Sequence, residues 1–281
     1  MVDHRLRRAV LGAAFTCITF AVTFNPARAE AQPAATELVR LQGQAVELRR
    51  IAADDTQGAV VFENGSRISL DSWDAVFNAM SATPSKGWSL MAYNRPGVGR
   101  SEATERPRDG KQVVADLREL LQQQGIKPPY VLVGHSLGGL YMQLFARLHP
   151  DEVRGLVLVD ALYPGVIKKP EEFPFYARWG KAMFLNRMVG LEIDQVNATG
   201  EVVLGLPWPQ QIPVTRLINV PKSKGAVAVD FGVVNDDAAT IARVRALYPG
   251  AKTVVVDSDH QLQTATPEVV VQAIQDMINP R

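Results

Sequence analysis

The segment Gly134-His135-Ser136-Leu137-Gly138 limits what this chain can fold into more than any other stretch. Before it stands Tyr130-Val131-Leu132-Val133, an apolar run with the content of a short strand buried on both faces. After it, a helical pattern opens at Leu137, runs to Leu148 and stops before Pro150. A G-x-S-x-G sequence between strand and helix implies a turn too tight for side chains beside the serine, hence Gly134 and Gly138. The turn lifts the Ser136 hydroxyl above the edge of a sheet. The helix that follows aims its free amides at the same place, so the N–H of Leu137 is placed to stabilise a developing negative charge.

The remaining pattern agrees with an α/β architecture, a mostly parallel sheet with helices on both faces. Strands are expected at 45–51, 59–63, 87–93, 130–134, 154–159, 213–219 and 252–257. Helices are expected at 69–82, 109–124, 137–148, 236–248 and 267–278, with Asp109 capping the second and Gly125 stopping it. Residues 30–44 read as a linker and 45–281 as one domain. The alternation breaks at 162–211, a stretch rich in Pro, Met and aromatics and too long for an ordinary connection. It reads as a lid over the C-terminal edge of the sheet, where open α/β sheets place their sites. Trp179, Met183 and Phe184 of this lid are candidates to line an apolar or aromatic pocket.

The first 29 residues carry a different pattern. Arg5, Arg7 and Arg8 precede an apolar run from Ala9 to Phe24, and Ala27-Arg28-Ala29 is a small-x-small cleavage pattern. This is the layout of a secretory signal peptide, and the run is shorter than the roughly 20 residues of a membrane span. Export to the periplasm or beyond is expected, without stable membrane insertion after cleavage. Removing the four arginines and one aspartate of this segment leaves 26 basic and 28 acidic side chains, a balance that gives no basic field for nucleic acid. The only cysteine, Cys17, leaves as well, which excludes disulfides and a thiol nucleophile from the mature chain. No Cys or His cluster has metal-ligand spacing and no phosphate-cradling glycine pattern occurs, so neither a metal nor a cofactor is expected.

A serine hydroxyl needs a base to become a nucleophile. Of four histidines, His4 falls in the leader, His135 is next to Ser136 and should point away from it, and His149 ends the following helix. His260 remains, just after the strand 252–257 and at the same sheet edge as Ser136. The base in turn needs a carboxylate to hold its tautomer. Asp160 ends the strand 154–159, whereas the next strand ends at Asn219-Val220 with no acid, and Asp230 lies ten residues beyond Val220. Asp160 and Asp230 are the two candidates. Asp257 and Asp259 are too near His260 in the chain for the required geometry.

Taken in order, VVFENG at 60–65, YNRPGVGRS at 93–101, VGHSLGG at 133–139, LVLVDA at 156–161 and DSDHQLQTATPEVV at 257–270 resemble the α/β-hydrolase superfamily, and most closely its esterase, aminopeptidase and haloperoxidase-like branch. The resemblance covers nearly all of residues 45–281. It implies an eight-stranded, mostly parallel sheet, a small lid insertion, and an oxyanion hole with Leu137 and Ser66 as backbone donors. Many relatives have His-Gly where this chain has Asn64-Gly65, and Asn64 becomes a candidate to touch substrate. Arg95, in a turn with Asn94 in place of the family's aspartate, is expected to tie loops together. Most relatives carry the acid after the strand that here is 213–219; some place it one strand earlier, which favours Asp160 over Asp230. The implied activity is hydrolysis of a small-molecule carboxylic ester through an acyl-enzyme on Ser136. Amide or peptide hydrolysis, and a binding module that has lost catalysis, are the alternatives.

Overall fold

The computed structural model describes residues 35–53, 55–82, 87–165, 186–220 and 238–279. Its strands are β1 (Glu37–Leu41), β2 (Gln44–Ile51), β3 (Gly58–Glu63), β4 (Trp88–Tyr93), β5 (Tyr130–His135), β6 (Val153–Val159), β7 (Val214–Asn219) and β8 (Lys252–Val256). Its helices are α1 (Asp74–Ala82), α2 (Gly110–Gln123), α3 (Leu137–Leu148), α4 (Arg187–Gly205), α5 (Ala238–Leu247), α6 (Leu262–Ala265) and α7 (Pro267–Ile278). The strands form one sheet in the order β1-β2-β4-β3-β5-β6-β7-β8. β2 runs antiparallel to β1 and β4, and every pairing from β4 through β8 is parallel.

The central strands are buried along their whole length, so their side chains alternate between two apolar layers. Leu132, Leu156 and Leu158 face α2 and α3. Val131, Val133, Val157 and Val159 face α1 and α7. α2 starts where its cap dictates: the Asp109 side chain accepts from the Gln112 amide. It stops before Gly125, whose φ of 67° ends the helical path.

Two expectations need correction. Residues 30–44 are not all linker, because Glu37–Leu41 forms the edge strand β1. Gln42 (φ 50°) and Gly43 (φ 86°) make the tight turn that returns the chain into β2. Only Leu41 of this strand is buried and Leu38 is exposed, so no apolar alternation marks it in the sequence. The stretch 69–82 is a short 3-10 turn at Leu70–Trp73 followed by α1, not one continuous helix. Of the lid expected at 162–211, residues 187–205 form the long helix α4. Trp179, Met183, Phe184 and Asp230 lie outside the described residues, as does the leader 1–29. No helix among the described residues is long and apolar enough to cross a membrane.

Phe62, fully buried near the C-terminal end of β3, packs against Trp73 (ring centroids 5.1 Å) and Phe77 (5.8 Å). This cluster holds the loop after β3 on the sheet. Phe62→Ala should lower the unfolding free energy by about 3–5 kcal/mol in urea titrations, from reduced burial plus a cavity. A loss below about 1 kcal/mol would show that this layer is not packed as described.

Candidate active site

Ser136 sits between β5 and α3 with φ 50° and ψ −121°, a conformation that costs a non-glycine residue about 1–3 kcal/mol. Its amide donates to the Val159 carbonyl (3.2 Å), and its carbonyl accepts from Gly139 (3.0 Å) and Leu162 (2.9 Å). The flanking glycines are required by contact. A Cβ on Gly134 would lie 2.6 Å from the Gly139 Cα. One on Gly138 would fall on the carbonyls of Glu63 and Asn64, which pack directly beneath the start of α3. Leu137 is the first residue of α3, so its N–H belongs to the amides that have no partner within the helix.

Asp160 follows β6 with φ 38°, its amide donating to the Leu217 carbonyl (2.8 Å). Its Oδ2 lies 2.7 Å from His260 Nδ1, and its Oδ1 accepts from the Asn219 amide (3.2 Å). A carboxylate only accepts, so the proton of this contact is on Nδ1. The Asp160 side chain is 6 % exposed and that of His260 is 40 % exposed. Thus the acid is enclosed while the imidazole reaches the surface. The structure brings Asp160 and His260 together beside the Ser136 turn. Asp259 is turned elsewhere and accepts from the Gln261 amide (3.2 Å).

His135 is fully buried, and its Nε2 donates to the His260 carbonyl (2.9 Å), with the two rings 4.8 Å apart. It therefore braces the loop that carries His260. Burial pushes its imidazole down to about 3, with the neighbouring His260 adding to the effect. Its position next to Ser136 signals a packing role in the sequence, but which loop it holds is legible only in three dimensions.

Asn64 corrects an expectation. Its Oδ1 accepts from Trp73 Nε1 (2.8 Å), and its Nδ2 donates to the Tyr93 carbonyl (2.8 Å) and to Asn94 Oδ1 (3.2 Å). The side chain is buried and fully committed inside the protein, so it is a scaffold residue and not a substrate contact. The adjacent Gly65 is packed against the site: a Cβ there would lie 2.7 Å from His135 Nδ1 and 3.3 Å from Ser136 Cβ. Ser66 follows, at the turn in this loop.

Arg95 ties this loop down. Its Nη1 donates to the Asn64 carbonyl (2.7 Å) and to Glu63, its Nη2 to the Gly65 carbonyl (3.0 Å), and its Nε to Glu192 of α4 (2.9 Å). Burial works against the charge on Arg95, but Glu192 and Glu63 outweigh it and hold the guanidinium well above the ordinary arginine range. Burial pushes the Glu63 carboxyl up, against the pull of Arg95. Glu192 is a residue that sequence reasoning missed, since nothing in a helix 97 positions away marks it as a partner of Arg95.

Comparison with known proteins agrees with this architecture. The profile of the family described as alpha/beta hydrolase fold matches residues 58–207. An uncharacterized protein of Schizosaccharomyces pombe is 36% identical over 106 residues, 36% of this chain and 20% of that one. A non-heme chloroperoxidase of Streptomyces lividans is 34% identical over 110 residues, 39% of this chain and 38% of that one. The matched stretch therefore spans well under half the length of either relative. The crystal structure of Cfl2 from Burkholderia cenocepacia is similar with a TM-score of 0.62 at 17% identity, covering 87% of this chain and 95% of that one. At that identity the likeness is one of fold.

The low value at His135 has a consequence for stability. An unfolded chain protonates this imidazole near 6.5, whereas the folded protein refuses the proton down to about 3. Below pH 6.5 the unfolded state thus binds the extra proton, and stability falls by up to about 1.4 kcal/mol per pH unit until about pH 3. Urea unfolding from pH 7 to 4 should show a slope one proton shallower in His135→Gln than in the wild type. Equal slopes would mean that His135 is not held neutral.

Proposed function

Because the chain belongs to the α/β-hydrolase fold family, we propose that it is a serine hydrolase that cleaves a small carboxylic ester carrying an apolar or aromatic group. The observation that carries this reading is the 2.7 Å contact of Asp160 with His260 Nδ1, beside a serine held in a strained turn at the head of α3. In that arrangement His260 Nε2 takes the proton from Ser136 Oγ as the oxygen attacks the ester carbonyl carbon. The carbonyl oxygen gains the negative charge and is met by the N–H groups of Leu137 and Ser66. Collapse of the intermediate breaks the bond to the alcohol, which leaves with the proton from His260. Water then attacks the acyl-enzyme by the same path in reverse, with His260 again as base, and releases the acid and free Ser136. No metal or cofactor enters these steps.

The apolar side chains written into the lid sequence, among them Trp179, Met183 and Phe184, support an apolar substituent on the substrate. The pattern of residues 1–29 supports export of the enzyme.

A fluorophosphonate probe should label folded wild-type protein at Ser136, and Ser136→Ala should lose both labelling and turnover of p-nitrophenyl esters. Failure to label the folded wild type would favour a binding module that has lost catalysis. Faster turnover of aminoacyl anilides than of the esters would move the assignment to amide hydrolysis. Asp160→Asn keeps the shape of the acid but removes the charge that holds the Nδ1 proton. It should lower kcat by about 10⁴ with p-nitrophenyl esters. Wild-type kcat in this variant would remove Asp160 from the reaction.

A further inference from the structure

A chain of charges links the lid helix to the loop after β3. Arg95, Glu63 and Glu192 are each no more than 1 % exposed. Glu192 takes the Arg95 Nε–H with both carboxylate oxygens (3.1 and 2.9 Å) and also pairs with Arg108 Nη2. Arg108, 3 % exposed, also contacts Asp116, which pairs with Arg106 as well. Alternating in sign from Glu63 to Arg106, the six groups balance one another. Enclosed charge is costly unless so paired, and a hydrophobic cluster would serve stability equally well. The geometry offers a specific use for this one.

A guanidinium is planar and rigid, so fixing its Nε edge fixes the direction of both Nη groups. Those groups hold the carbonyls of Asn64 and Gly65. The Gly65–Ser66 peptide is not among the cis bonds, and in a trans peptide the C=O and the following N–H point in opposite directions. With the Gly65 carbonyl drawn toward Arg95, the Ser66 N–H is turned away from it. On its other flank this loop meets the His135 imidazole and the Ser136 Cβ, close enough that Gly65 has no room for a Cβ. We infer that Glu192, from the lid helix α4, is a positioning residue: through Arg95 it sets the Gly65–Ser66 peptide so that the Ser66 N–H faces the oxygen of the substrate carbonyl at Ser136. This rests on the ester-hydrolase reading and adds to it that the lid helix helps build the oxyanion hole. Asn186 and Met188 at the start of α4 also engage Gly97, in the same turn as Arg95, so the helix is anchored to the arginine's own loop.

Glu192→Gln keeps an acceptor for the Arg95 Nε–H and removes the charge that orients it. It should lower kcat for p-nitrophenyl esters about 10- to 100-fold with KM within about 3-fold, since the Ser66 N–H serves the oxyanion and not substrate binding. In ligand-free protein labelled with ¹⁵N-serine, the Ser66 amide resonance should shift while serines far from the loop stay in place. Glu192→Asp, which restores the charge, should recover part of both effects. Arg108→Gln, which frees the outer side of Glu192 without touching Arg95, should give the same signature in weaker form. It also serves as the test if Glu192→Gln does not fold. A Glu192→Gln protein with wild-type kcat and an unmoved Ser66 resonance overturns the inference, as does a loss in which kcat falls only with the folded fraction. Wild-type protein that turns over no ester would overturn the hydrolase reading instead. The Ser66 resonance would then still report whether Glu192 sets this peptide.

Discussion

The whole site depends on a serine held where serine does not rest. At φ 50° and ψ −121°, Ser136 stores strain that its own side chain cannot relieve. What holds it is the sheet: β5 ends in the turn, β6 supplies the Val159 carbonyl, and α3 departs immediately with its backbone against the end of β3. Gly134 and Gly138 are the condition for that approach, because a methyl group at either would meet backbone atoms that cannot move aside. Asp160, on the neighbouring strand end, is strained in the same sense at φ 38°, and is held by the Leu217 carbonyl of β7. Each strained residue is thus fixed by a hydrogen bond to the next strand in the sheet. The core of buried strands stabilises two geometries that an isolated turn would lose.

Around that frame the charges are sorted by exposure. The guanidinium of Arg95 and the carboxylates of Glu63 and Glu192 are sealed and mutually paired, so their cost is met locally. His135 is sealed without a carboxylate partner and is kept neutral by burial, so it can brace the His260 loop through Nε2–H without placing a positive charge beside His260. His260 alone among these groups keeps a large part of its side chain at the surface. The imidazole is thus open to solvent, while the groups around it are enclosed.

What can be read from the residues follows the range of the interactions. The Ser136 turn, the cap at Asp109 and the buried strands depend on neighbours in the chain, so local pattern exposes them. His260 follows from elimination, whereas the residues alone leave Asp160 and Asp230 open, and it is the family resemblance that favours Asp160. β1 reads as linker because an exposed edge strand has no alternation to show. Asn64 reads as a site residue because of its neighbours in sequence, while its hydrogen bonds go to Trp73, Tyr93 and Asn94. Arg95 is recognisable as a tie between loops, but Glu192, at the other end of that tie, lies in a helix whose sequence carries no mark of it.

The empty slot after β7 is itself informative. β7 lies between β6 and β8 in the sheet, so an acid at the end of β6 must reach past the end of β7 to meet a histidine from the loop after β8. The residue at that end is Asn219. Its backbone N–H donates to Asp160 Oδ1 (3.2 Å), and its side-chain Oδ1 accepts from the Ser258 amide (3.1 Å), two residues before His260. One short polar residue thus bonds to the acid on one side and to the histidine loop on the other. A carboxylate at this position would add a negative charge next to Asp160. The bond to Asp160 comes from the main chain, and the uncharged side-chain amide accepts from Ser258 without that repulsion.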